Sequence, residues 1–382
     1  MMSKSKLKVA IIGTGRMGGL MEDENPFRNQ YTKPYGHFSS YMAIPEVEVV
    51  AVANRGRERL ERFSKRFDFE NTYLDYKEMI EKEKPDIVSV TTPSVRRADP
   101  IIFAAENGVK GIYAEKGLCA SLEEADNIRD AVVKNKVAFN WGASRRHHSG
   151  WVQLAEGISK GAIGEPLFAT MYTFTDIIKH HPHTLDTVSM LLGDPLAKWV
   201  EGSLVEKGDQ LENGAAIERP RAFPDYDREN HRFVPPSGEE IADPMVGFYR
   251  VGYSNGCEGL FVPTPGRWEI DVQGTEGRAW GWEQQGIWKI RKGGQKIQRN
   301  SKKSEKPPII EDINIRLYGD SPTVNTIRDI VNEINTGERT RGNIDVTMQS
   351  VEVQFGIANS HLQGGKRVSI PVSDRSLYIP GG

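Results

Sequence analysis

The sequence predicts a doubly wound α/β domain followed by an α+β domain built on a large, mostly antiparallel sheet. Three observations predict it. Valine- and isoleucine-rich runs alternate with helical segments through the first third, the first run ends in a glycine-rich turn, and beyond about residue 145 the apolar runs lengthen and begin to alternate. Continuous apolar strands between helices signal a parallel sheet covered on both faces, whereas alternating strands with glycine at the turns signal antiparallel hairpins.

The first strands are expected at "LKVAIIG" (7–13), "VEVVAVAN" (47–54), "DIVSVTTP" (86–93), "GIYAEKG" (111–117) and "KVAFNWG" (136–142). Helical patterns separate them at 57–67, 75–84, 100–108 and 121–135. The second unit opens with a helix ending in "SKGAIGEP" and continues with "LFATMYTFTD", "MVGFYRVGYSNGCEGLFVP" and "RWEIDVQGTEGRAWGW". Two late helices are expected at 321–338 and 346–365, and the polar, proline-bearing stretch 206–240 reads as an excursion from the sheet. The division falls at 1–143 and 144–382.

A chain of 382 residues exceeds one ordinary core at ~100–200 residues per domain. With 38% hydrophobic residues, 27% charged residues and a net charge of -2, it has no basic field to attract nucleic acid or an anionic membrane. The start, "MMSKSKLKVAIIG", lacks the long apolar stretch of a secretory signal, and no run approaches the ~20 apolar residues of a membrane span. Cys119 and Cys257 are too few for a disulfide framework and have no zinc spacing, so a reduced cytoplasm is expected. Cys119 reads as a small buried filler, with a place in the Lys116 site as the alternative. The expected partner is a small molecule.

"VAIIGTGRMGG" carries Gly13, Gly15 and Gly18 in the G-x-G-x-x-G spacing, with Arg16 and Met17 between them, directly after the first strand. The first glycine permits the tight turn, the second lets backbone approach a pyrophosphate and the third lets helix pack on strand. At the head of a serial βαβ pattern this predicts dinucleotide binding. Pro26 and Pro34 break the helical stretch beyond this turn, so an inserted loop is expected at about 21–35, either a lid or a solvated decoration. The second strand ends in Asn54, where an NAD enzyme usually carries an acid for the ribose, and Arg55 and Arg57 come next. Losing that carboxylate and gaining cations favours NADP, with NAD the alternative. Glu115 and Lys116 close the fourth strand as either a solvated loop or a lysine delivered to a site.

With "GTGRMG", "KPDIVSVTTP", "AEKG", "SKGAIGEP", "HTLDTVSMLLGDP", "VQGTEGRAWGW" and the closing "TGERTRGNIDVTMQSVEVQFGIANSHLQGGKRVSIP", the chain resembles the glucose-fructose oxidoreductase, inositol dehydrogenase and rhizopine-catabolism (Gfo/Idh/MocA) family over nearly its whole length. The resemblance implies a Rossmann domain, then a domain whose large open-faced sheet mediates homodimers or homotetramers. It makes "AEKG" the counterpart of a Glu-Lys-Pro segment, so Lys116 becomes the active-site lysine beside the nicotinamide, with Gly117 in place of the proline. It also implies cofactor contacts from Thr92, Pro93 and Glu115.

Anchored on "HTLD" and "LLGD", the resemblance makes His183 the catalytic histidine and Asp186 the acid one turn on, while the preceding family acid falls on Lys179. A competing register pairs Asp176 with His180. A base titrating near neutrality suits removal of a hydroxyl proton as hydride leaves the same carbon, and a lysine beside that oxygen stabilises alkoxide charge.

Five of the eight histidines fall in "SRRHHSG" and "KHHPHTLD", together with Arg145, Arg146 and Lys179. These segments read as a solvated basic face or as a cationic pocket for an anionic or heavily hydroxylated substrate, with Lys116, Arg145, Arg146, Lys179, His180 and His183 touching it. A metal site lacks acidic and cysteine partners and is not expected. The leading function is NAD(P)-dependent hydride transfer at a secondary alcohol of a sugar, glycoside, cyclitol or sugar acid. A redox-neutral NAD-dependent glycosidase and a non-catalytic nucleotide-binding regulator are the alternatives.

Overall fold

Six strands form the first sheet: β1 (Leu7–Ile12), β2 (Val47–Ala53), β3 (Thr72–Tyr73), β4 (Ile87–Val90), β5 (Gly111–Ala114) and β6 (Ala138–Trp141). All pair in parallel, in the order β3-β2-β1-β4-β5-β6. Every residue of β4, β5 and β6 is buried, as the unbroken apolar runs require of a sheet covered on both faces. The strand order reverses between β1 and β4, which opens a crevice beyond their carboxyl ends. The protein is described from a computed structural model covering residues 5–24, 33–206, 208–209, 224–235, 241–264, 268–293 and 311–381.

The connecting helices are α1 (Met21–Glu24), α2 (His37–Met42), α3 (Arg57–Phe67), α4 (Tyr76–Glu83), α5 (Ala98–Glu106) and α6 (Leu122–Lys134). Local chemistry sets their starts. Asp75 accepts from the Lys77 amide ahead of α4, and Ser121 accepts from the Glu124 amide ahead of α6 while Glu124 reaches back to the Ala120 amide. The edge strand β3 was not expected from sequence, because two residues carry no periodicity. Of the expected insertion, 25–32 lies outside the described residues; its base is closed by the Glu22 carboxylate, which accepts from the amides of Tyr35 and Gly36 at 2.7 and 2.8 Å.

The second unit contains α7 (Ser149–Ser159), β7 (Pro166–Thr173), α8 (His181–Leu191), β8 (Ala197–Leu204), the hairpin β9 (Asp225–Asp227) and β10 (Arg232–Val234), β11 (Val246–Tyr253), β12 (Glu258–Pro263), β13 (Glu269–Gly274), β14 (Gly277–Trp282), β15 (Ile287–Lys292) and β16 (Glu311–Asn314). Then come α9 (Pro322–Thr336), α10 (Ile344–Leu362) and β17 (Val368–Ser369). Nine strands form one sheet in the order β16-β15-β14-β13-β7-β12-β11-β8-β17, antiparallel except for β7 beside β12. Helices α7, α8 and α10 cover one face; on the other Phe168 and Phe248 remain exposed. The 206–240 excursion includes the β9–β10 hairpin, joined to the closing segment where the Phe233 amide donates to Tyr378.

Helix α9 returns to the first sheet. Its Val324, Ile327, Ile330 and Val331 share a core with Val9, Ile11, Tyr113 and Ala138. No helix among the described residues is long and apolar enough to cross a membrane.

Candidate functional site

Strand β1 delivers the glycine turn to the crevice. Gly13 sits at φ +102°, a conformation L side chains rarely adopt, and a Cβ there would meet Thr91 Oγ1 at 2.6 Å. The Thr91 hydroxyl donates to the Gly13 carbonyl at 2.7 Å, which pins the turn. A Cβ on Gly18 would collide with that carbonyl, so Gly18 packs behind the turn rather than on the crevice. Gly15 faces open space, with the Arg59 guanidinium 3.8 Å from where its Cβ would stand. This cradle fits a pyrophosphate: backbone bared at Gly15, cations close by, and a turn no side chain could occupy.

A cleft of about 1270 Å³ runs from this turn to the second unit. Of the expected residues, Gly13, Gly15, Arg16, Met17, Asn54, Arg55, Thr92, Pro93, Glu115 and Lys116 line it from the first sheet, and Arg145, Lys179, His180 and His183 from beyond. The Asn54 amide donates to the Gly56 carbonyl at 3.0 Å, and the Thr14 amide approaches its oxygen at 3.5 Å, which ties the β2 loop to the glycine turn.

Glu115 is buried at the end of β5 beside the half-buried Lys116. His37, fully buried on α2, lies 3.1 Å from Glu115 Oε1 through Nε2 and 2.6 Å from Ser89 Oγ through Nδ1. Its ring stacks on Tyr113 at 4.1 Å. Burial pushes the Glu115 carboxyl up, but the His37 hydrogen bond, reinforced by Lys116 and Arg97, outweighs it and holds Glu115 below the usual range. Burial pulls the Lys116 ammonium down; neighbouring Glu115 and Asp176 resist this, and Arg97 and Lys179 add to it. Arg97, pulled down to about 10 by burial, donates to the carbonyls of Gly117 and Thr92 and so clamps the loops after β4 and β5 together.

Gly117 has a packing cause. A Cβ there would stand 2.5 Å from the Ile178 carbonyl oxygen, so the loop bearing Lys116 and the segment bearing Lys179 touch backbone to side-chain-free backbone. That segment is held from below by Asp243, whose carboxylate accepts from the amides of Ile178 and Lys179 at 2.8 and 2.9 Å.

Both candidate histidines reach the cleft. His180 is hydrogen-bonded to the buried Asp176 at 2.6 Å, so the partners of the competing register do meet. Burial pulls His180 down, Asp176 opposes, and Lys116 and Lys179 add to the fall. His183 meets the edge of Trp268, ring centroids 5.8 Å apart. Trp268 also lies under the Arg145 guanidinium at 4.0 Å, and Arg145 is locked to the buried Glu283 at 2.6 and 2.8 Å.

Arg146 does not join the cleft, contrary to the sequence expectation. It lies buried, grips Asp186 with Nε and Nη2 at 2.9–3.1 Å, and reaches both oxygens of Asp194. Burial alone would lower it, but the two carboxylates dominate and raise it. Asp186 is therefore an ion-pair partner in the core. The solvated basic face is also overturned: burial pulls His147 to about 3 and His148 to about 4, His148 caps α7, and buried His181 joins Thr175 to Tyr249. Cys119 is buried in the core, and no metal-holding cluster occurs among the described residues.

Sequence reading missed His37, Arg59, Arg97 and Trp268. Arg59 could have been flagged as a third cation close behind Arg55 and Arg57, in the first turn of α3; His37 lies beyond an inserted segment and carries no spacing signal.

Comparison with known proteins gives the same outline. Residues 7–142 match the model described as an oxidoreductase family with an NAD-binding Rossmann fold. The scyllo-inositol 2-dehydrogenase (NAD(+)) of Bacillus subtilis is 28% identical over 169 residues, 44% of each chain. Levoglucosan dehydrogenase of Pseudarthrobacter phenanthrenivorans is 34% identical over 166 residues, 42% of this chain and 39% of the relative. The chain thus spans less than half the length of these curated relatives. A structure of levoglucosan dehydrogenase with NADH and levoglucosan superposes with a TM-score of 0.71 at 18% identity, covering 96% of this chain and 100% of that one, which shows a shared fold.

Proposed function

We propose that the chain is a member of the Gfo/Idh/MocA oxidoreductase family and an NAD(P)-dependent dehydrogenase transferring a hydride between the nicotinamide and a secondary alcohol of a sugar, cyclitol or sugar acid, a reading supported by the match of residues 7–142 and by the inositol dehydrogenase relative. One observation carries the reading: Lys116, Lys179, His180 and His183 line the same cleft as the glycine turn. Gly13, Gly15, Asn54, Arg55, Thr92 and Pro93 would hold the dinucleotide, which supplies the hydride acceptor when bound. The chain's own residues handle the proton. His183 would take it from the substrate hydroxyl, and the Lys116 ammonium, made more acidic by burial, would donate a hydrogen bond to the oxygen as charge develops.

We infer a preference for NADP from Arg55 and Arg59 at the cleft and from the amide of Asn54 in place of a ribose-binding carboxylate. We also infer self-association through the open sheet face, where Phe168 and Phe248 stay exposed. A screen of sugars, inositols and sugar acids with NAD and NADP in parallel, read at the reduced-nicotinamide absorbance, tests the function. Reduction that disappears in Lys116→Met is expected. Dinucleotide binding without reduction by any polyol would overturn the reading, and glycoside cleavage without net reduction would move it to the redox-neutral glycosidase.

A further inference from the structure

The charged groups at the inner end of the cleft do not all balance. Arg145 is ion-paired with Glu283, His180 is hydrogen-bonded to Asp176 and His37 to Glu115, while the Arg97 guanidinium donates to backbone carbonyls. Lys116 and Lys179 differ: both are half-buried, both line the cleft, and neither forms an ion pair with a carboxylate within 4.0 Å among the described residues. Asp243 accepts from the main-chain amides of Ile178 and Lys179 with its two oxygens and so fixes the backbone of Lys179.

Two like charges gathered in a partly closed cleft repel each other, and the repulsion contributes to the lowered Lys116 ammonium. Such a pair is stabilised by an anion between or beside its members. A sugar hydroxyl offers a dipole; a carboxylate or phosphate oxygen offers a charge-assisted hydrogen bond roughly twice as strong. The backbone around Lys179 is held by Asp243 beneath it and by the contact of Ile178 with Gly117, so the ammonium is presented from a fixed base.

We propose that Lys179 forms an anion subsite and that the substrate is a polyol bearing an oxyanion group, with the reacting hydroxyl at Lys116 and the acid group at Lys179. This rests on the oxidoreductase reading above. Lys179 is then a specificity-determining residue: it holds a part of the substrate that does not react.

The test compares Lys179→Gln and Lys179→Arg with the parent protein, each saturated with cofactor. Gluconate and glucuronate are set against glucose and sorbitol, with glucose 6-phosphate as the phosphate arm. Nicotinamide reduction gives kcat and KM, and calorimetry gives binding independently of turnover. The parent should prefer an acid to its neutral counterpart, and which acid arm responds identifies the oxyanion. Lys179→Gln should raise KM for that acid about 10–100-fold and KM for the neutral polyol far less, with any change in kcat shared by acid and neutral substrates; Lys179→Arg should restore most of the affinity. Preference for a neutral polyol, or equal losses on acid and neutral substrates, overturns the subsite. Acids that bind through Lys179 in calorimetry yet reduce no cofactor would leave the subsite standing and refute the dehydrogenase reading instead.

Discussion

Replacing Arg146 with methionine separates two roles that the sequence could not tell apart. The change keeps much of the side-chain volume but removes every hydrogen bond to Asp186 and Asp194. Asp194 is 37% exposed at its side chain and can recover water, so its share is small. Asp186 is fully buried and is left as an uncompensated charge. Breaking a buried pair by removing one partner costs ~3–5 kcal/mol, and the loss here should fall in that range at neutral pH. Burial already raises the Asp186 carboxyl with Arg146 present. Without the guanidinium its folded pKa rises further above the unfolded value, so the folded state gains a proton as pH falls and the deficit shrinks towards the acid side. Urea unfolding followed by tryptophan fluorescence at pH 5 and pH 8 reads both effects, and adding Asp186→Asn should recover a substantial part of the loss at pH 8. An unchanged unfolding midpoint with a raised KM would refute this reasoning and return Arg146 to the substrate.

Four further outcomes are expected. Lys116→Met should lower kcat by ~10²–10³ while dinucleotide affinity, measured by fluorescence titration, stays within a few-fold. His183→Ala should lower kcat by ~10²–10⁴ as a lost general base; a larger loss in His180→Ala would move that role to the Asp176 pair. Arg55→Ala should weaken NADP by about 1.5–3 kcal/mol and spare NAD, and equal parental affinities for the two cofactors would remove the preference. Gly117→Pro, which restores the resemblance's Glu-Lys-Pro, should destabilise by ~1–3 kcal/mol in thermal melts because its Cβ meets the Ile178 carbonyl; an unchanged melt would show that the segment yields.

Much of the first sheet was readable because its signals are local. The helix expected at 57–67 is Arg57–Phe67, and Ser121 and Glu124 mark the start of α6 within four residues. The glycine turn was readable for the same reason. What escaped depends on distant chain. Arg145 and Arg146 are neighbours in one short turn, Ser144–His147, yet one faces the cleft and the other the core, because Glu283 and Asp186 lie on different elements. Gly117 looked like a lost proline; the Ile178 carbonyl, sixty-one residues on, gives it a reason. Trp268, just ahead of β13, meets His183 and Arg145 from far along the chain, and no spacing announced that contact.

Helix α9 bears on how the two halves of the molecule can move. It comes after eight of the nine strands of the large sheet but is embedded against the small one, where Ile330 and Ile334 press so closely on Gly111 that a Cβ there would meet them at 2.6 and 2.9 Å. Detaching it would wet Val324, Ile327 and Ile330 at ~1.5–3 kcal/mol each, so the helix stays with the small sheet when the two halves move. The chain therefore crosses between the halves before α9 and again after it, and a hinge motion has to bend at these crossings together.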